Sequence, residues 1–124
     1  MAISLNKECL LSTKAVCFNM SDNYGKLLLG ESAFEFYSDR NPEKNIQIPW
    51  SDIDYVRAVV INKKHFSRYT IETKEGQSFQ FDGQNTKQVL QTIAKFVDPS
   101  HIVHADTLAR KLKNTFLSKH HHTA

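Results

Sequence analysis

From Thr13 to Asp82 the chain is a series of short runs in which apolar and polar residues alternate, each closed by turn residues. In the first, Val16, Phe18 and Met20 fall on one face, and residues 21–25 close it. Lys26 to Leu29 is a second run, ending at Gly30. In the third, Ala33 to Tyr37, Phe34 and Phe36 lie opposite Glu35. Loop chemistry at 39–45 leads to Ile46 and Ile48 on one face, ended by Pro49. Tyr55 to Ile61 is long and β-branched and mixes both faces, as suits a strand that curves or is covered on two sides. Tyr69 to Thr73 alternates again, Glu75-Gly76 has the form of a tight turn, and Phe79 and Phe81 alternate with Gln80 and Asp82. About seven short strands without intervening helices predict a mainly β fold, an antiparallel sandwich or small barrel.

The period then changes. Val89, Ile93, Phe96 and Val97 fall at i, i+4, i+7 and i+8, which predicts a helix over 85–97 covering the barrel's end. Asn85 with Gln88 resembles a capping box, and Asp98-Pro99 stops the helix. A second stripe of Ala105, Leu108, Ala109, Leu112 and Phe116 predicts a further amphipathic helix over 101–117. Its Leu108, Leu112 and Phe116 are candidates for packing on the barrel or on a second copy, or for lying on a membrane or a partner. The expected organisation is one domain over 1–124, with a barrel and capping helix over 13–97 and tails at 1–10 and 118–124.

Charge decides against several functions. Residues 1–100 hold 12 Lys and Arg against 12 Asp and Glu, so the whole excess of +3 comes from the last 24 residues. A balanced body with a basic end is poor support for nucleic acid, and only two helices are expected, both late, so no helix-turn-helix is available. Cys9 and Cys17 have no metal-site or disulfide spacing and read as reduced thiols. No apolar run approaches the ~18 residues of a membrane span, and the expected location is the cytoplasm.

The segments IQIPWSDIDYVRAVV, YTIETKEGQSFQFDG and TKQVLQTIAKFV resemble bacterial pleckstrin-homology-like and GRAM-like barrels. More narrowly, DNYGKLLLGESAFEFYSDRNPEKNIQIPWSDIDYV with FVDPSHIV resembles a small Gram-positive domain-of-unknown-function family. Its genes accompany mannose-class sugar phosphotransferase components, and one member is called the mannose-operon regulator (ManO-like). The likeness runs from about Leu11 to about Leu117. It implies a pleckstrin-homology-like barrel of about seven strands with a capping helix. It also implies a non-enzymatic regulatory or accessory protein of sugar uptake, without a cofactor, whose partners would be mannose-type phosphotransferase subunits. The family carries no established catalytic residues, so the resemblance supplies no active site.

Asp52 and Asp54 stand at i, i+2, a spacing compatible with paired carboxylates, but no His, Lys or metal ligand neighbours them in sequence. Asp52 after Ser51 reads instead as a turn cap, with Trp50 and Ile53 as anchors. His101 and His104 could share a helix face, yet no third ligand completes a metal set. The binding candidate is the stretch from Tyr55 to Ile71, which has no acidic residue and carries Arg57, Lys63, Lys64, His65 and Arg68 with Phe66 among them. Cations interleaved with an aromatic suit an acidic or phosphate-bearing protein surface, or the anionic inner face of a membrane. The same charges would also keep a hairpin soluble. Interaction module, peripheral membrane binder and transcriptional regulator of the mannose operon therefore stay open as functions, and exposed strand edges make a homo-oligomer plausible.

Overall fold

A computed structural model describes residues 3–20, 23–61 and 65–106, with side chains at 60, 61, 65–67 and 104–106 excepted. Eight strands form one sheet: β1 Cys9–Cys17, β2 Tyr24–Gly30, β3 Ala33–Ser38, β4 Asn45–Pro49, β5 Ile53–Ile61, β6 His65–Thr73, β7 Ser78–Gly83 and β8 Ile102–Asp106. Their order is β4-β3-β2-β1-β7-β6-β5-β8. Neighbours run antiparallel except β5 and β8, which are parallel. Among the described residues one α-helix, α1 Thr86–Ile93, follows β7.

The sheet is rolled, and the aromatic core shows it. Phe34 on β3 and Tyr69 on β6 are four strand steps apart, roughly 19 Å in a flat sheet. Their ring centroids are nevertheless 6.5 Å apart and nearly perpendicular. Phe81 meets Phe34 at 5.1 Å and Phe36 at 5.7 Å, so β3 and β7 face each other across one interior. Leu27, Leu29, Val56, Ile71, Val89 and Ile93 fill the same core. α1 closes it with Val89, Leu90 and Ile93, and Val97 in the next turn is also buried.

The expected strands are present, and so is the capping helix, although it ends at Ile93 where 85–97 was expected and Asp98-Pro99 therefore does not stop it; four further differences stand out. First, the inward face of β1 is Thr13, Ala15 and Cys17, not Val16, Phe18 and Met20, and β1 ends at Cys17. Cys17 pairs with Phe81, and Ala15 with Gly83 and Gly25, so small β1 residues make room for the aromatics. A one-residue slip would exchange the faces. Second, Asn85 makes no side-chain cap; its amide donates to Thr13 Oγ1 at 2.8 Å, tying the helix start to β1. The capping box is not formed.

Third, Ile102–Asp106 is an eighth strand, where a helix over 101–117 was expected. Pairing with the free edge of β5 supplies backbone partners from Val56↔Ile102 to Val60↔Asp106, and Ile102 packs against the core. That tertiary gain overrides a local period carried partly by alanines. Leu108, Leu112 and Phe116 lie outside the described residues.

Fourth, residues 3–8 are not a loose tail. They form a strap across β3 and β4, held by Glu35, a carboxylate with 0 % exposure. Ser4 Oγ and Leu5 N–H donate to it, each at 2.6 Å, and the Asn6 and Gln47 amides at 3.2 Å. Asn6 Oδ1 accepts from the N–H groups of Ser32 and Ala33, completing a side-chain imitation of a strand edge. Gln47 also donates to Ile3 O at 2.6 Å. Glu35 sits between two core phenylalanines because both faces of β3 are covered, one by the barrel interior and one by the strap.

Candidate functional site

The outer face of the β5–β6 hairpin holds the predicted basic residues that can be described. Arg57 pairs with Thr70 on β6 and Val103 on β8, and Arg68 lies two residues before Thr70, so both guanidinium groups leave the same face. They do different things there. Arg57 Nε donates to Glu72 Oε2 at 2.7 Å, and its guanidinium lies 5.2 Å from the Tyr55 ring centroid. The Glu72 bond raises its pKa further, fixing it as a cation. Arg68 turns the other way, 4.6 Å over the half-exposed ring of Phe18. Both rings accept the positive charge on their π faces.

The ladder places His65 opposite Ile61 and Phe66 opposite Val60, which carries both to the hairpin's end. Lys63 and Lys64 lie outside the described residues. Of the six binding candidates, the structure thus brings Arg57 and Arg68 to one face and neutralises part of Arg57's charge through Glu72. That acidic residue lies just beyond the acid-free window, opposite Tyr55, where a linear reading does not look.

The IPWSDIDY corner is a 3-10 turn at Trp50–Asp52 between β4 and β5. Trp50 is buried, donates Nε1–H to Gly30 O at 2.9 Å and stacks on Phe96 with centroids 4.7 Å apart. Ile53 is also core, so both anchors are as expected. Asp52 does not cap the turn with its side chain; its carbonyl accepts from Lys74 N–H at 2.9 Å instead.

Asp54 has a neighbour that its own surroundings in sequence do not reveal. His101 Nδ1 lies 2.6 Å from Asp54 O and 3.8 Å from Asp54 Oδ1, and its ring stacks on Tyr55 at 4.5 Å. A carbonyl only accepts, so the short contact puts a proton on Nδ1. The contact joins the start of β8 to β5. His101 lies in a 3-10 turn and His104 in a strand, so they share no helix face. Among the described residues no three His, Cys, Asp or Glu side chains converge on one metal.

A cleft of about 210 Å³ opens at this corner between Trp50, Ser51, Lys74, Phe96, Asp98 and His101. That is below the roughly 300 Å³ at which small-molecule pockets begin. Asp98 is committed to Ser100, accepting from its N–H and hydroxyl, which holds its carboxyl below the usual range. Cys17 is buried, which pushes its thiol pKa up and away from reactivity. The arrangement offers surfaces for contact and no assembled acid–base or nucleophile constellation among the described residues.

The fold has solved counterparts. The C-terminal domain of an unknown protein from Leishmania infantum is 13 % identical, covering 72 % of this chain and 84 % of that one, with a TM-score of 0.59. The Vps36 N-terminal PH domain is 12 % identical, covering 89 % and 82 %, with a TM-score of 0.54. The Slm1 PH domain, solved in complex with phosphoserine, is 12 % identical, covering 72 % and 92 %, with a TM-score of 0.51. At such identities the likeness shows the fold alone: the chain is pleckstrin-homology-like. No curated protein sequence matches it. Residues 1–116 match a family described as a domain of unknown function, DUF956.

Proposed function

The chain belongs to the DUF956 family, and on that premise we propose a non-enzymatic regulatory or accessory protein of mannose-type sugar phosphotransferase uptake, acting by binding another protein. The sugar-uptake part rests on the sequence resemblance described above. The mode of action is supported by one observation: two guanidinium groups, Arg57 and Arg68, leave the same face of a hairpin backed by a rigid aromatic core. Guanidinium groups presented on a stiff strand recognise carboxylate or phosphate groups of a partner with little ordering cost. Arg68 is the better contact, because its charge is held over an aromatic ring and not consumed by a carboxylate.

The test is co-purification from cells that make the tagged chain, beside a Lys63→Glu/Lys64→Glu/Arg68→Glu variant. A phosphotransferase subunit is expected with the first and not with the second. If none is enriched with either, the partner assignment fails. If it is enriched equally with both, the hairpin assignment fails.

A further inference from the structure

We propose that two copies of the chain exchange their straps, so that residues 3–6 of each copy complete the Glu35 site of the other. The exchange is separate from the hairpin and does not rest on the phosphotransferase reading. The strap docks through hydrogen bonds to β3, β4 and the turn before β3. Ser4 Oγ and Leu5 N–H donate to Glu35, and Asn6 both accepts from and donates to the backbone at Ser32 and Ala33. None of these bonds depends on the strap belonging to the same chain. A second copy is the partner that carries the matching sequence by construction. Exchange keeps every docking bond, which is the condition under which swapping an identical element costs little.

The hinge and the side chains left uncovered favour exchange over closure on the same chain. Only Lys7 and Glu8 separate Asn6 from β1, and the chain bends at both. It doubles back so closely over the end of β2 that Gly30 has no room for a Cβ, with Glu8 O 2.2 Å from where one would stand. The Glu31 carboxylate is taken up in holding the Lys7 and Glu8 N–H groups through this reversal. Short hinges forced to turn back invite exchange. Closure also leaves Ile3 78 %, Leu5 45 % and Leu10 46 % exposed, a run of aliphatic side chains on strap and hinge that a second copy covers. The charges suit a second copy too. Lys7 and Glu8 are exposed and make no ion pair among the described residues. Two hinges passing in opposite directions about a two-fold axis bring Lys7 of each copy toward Glu8 of the other.

Isotope-filtered NMR tests this on full chains, half of them isotope-labelled and half not, refolded together from urea. Sedimentation of the same sample should show a dimer. Contacts from Ser4 to Glu35 and from Asn6 to Ala33 are expected between labelled and unlabelled chains. Inserting three glycines between Glu8 and Cys9 lets the strap close on its own chain. That variant should sediment as a monomer and keep the same contacts within one chain. Leu10→Ser should weaken the dimer at least about tenfold, through apolar burial that only the second copy provides. A monomer at every concentration would overturn the proposal, as would a dimer whose strap contacts all lie within one chain. So would an insertion variant, or Leu10→Ser, that dimerises as tightly as the parent.

Discussion

Glu35 is the residue on which most of the unexpected structure turns. A carboxylate with no exposure is costly unless its oxygens are fully bonded, and here four donors from the strap and β4 meet it. Glu35→Gln keeps the shape but turns an amide N–H₂ toward those donors. It is expected to destabilise the fold by about 1.5–3 kcal/mol, measured by urea denaturation; an unchanged midpoint would refute the bonding described. Glu31 pins the other end of the strap, and its pKa is lowered, chiefly by the Glu8 N–H bond. A carboxyl whose folded pKa is depressed stabilises above its unfolded value. Its contribution is therefore full above the ordinary 4.5 and is lost as pH falls through the folded value. Glu31→Gln should flatten that acid limb of the stability profile. In sequence Glu35 reads only as the polar member of Phe34-Glu35-Phe36; a strand polar on one side normally faces water, and nothing local says that residues 3–8 cover it.

At the scale of elements, the strap makes a prediction of its own. A Cβ on Gly30 would lie 2.2 Å from Glu8 O and 2.4 Å from the Asn6 side chain. Gly30→Ala must therefore lift the strap from the sheet while leaving the barrel's aromatic core in place. Amide exchange at Leu5, Lys7 and Glu8 should accelerate well beyond that of Leu27 and Leu29, and equal acceleration would contradict the description. Strand β8 is the other element that local pattern misassigned. Ile102-Val103 is β-branched, but the alanine and leucine stripe beginning at Ala105 carried the stronger helical period. What decides is the free edge of β5 and the long crossover through β6, β7 and α1, which lets a parallel strand return to it. Cross-strand Hα-to-amide contacts between β5 and β8 in NMR spectra, from Val56 and Ile102 onward, check the parallel register, and the close Hα–Hα pairs of antiparallel strands would contradict it.

For the whole molecule, the mainly β fold was legible because alternation in β3, β4, β6 and β7 survives in the chain itself, and the IPWSDIDY corner behaves as its Pro, Trp and Ile suggested. The candidate site was legible only in part. Arg57 and Arg68 share a face as the hairpin implied, yet Glu72 and Phe18, which decide how much charge each presents, come from outside the basic window. The proposed protein contact is the hairpin face that carries Arg57 and Arg68. One measurement tests it most directly: quantitative co-purification of phosphotransferase subunits with the tagged parent chain and with Lys63→Glu/Lys64→Glu/Arg68→Glu, prepared in parallel and washed in detergent so that lipid bridges are removed. A subunit is expected to be enriched with the parent and lost with the hairpin variant. Equal enrichment with both chains, or none with either, would contradict the assignment.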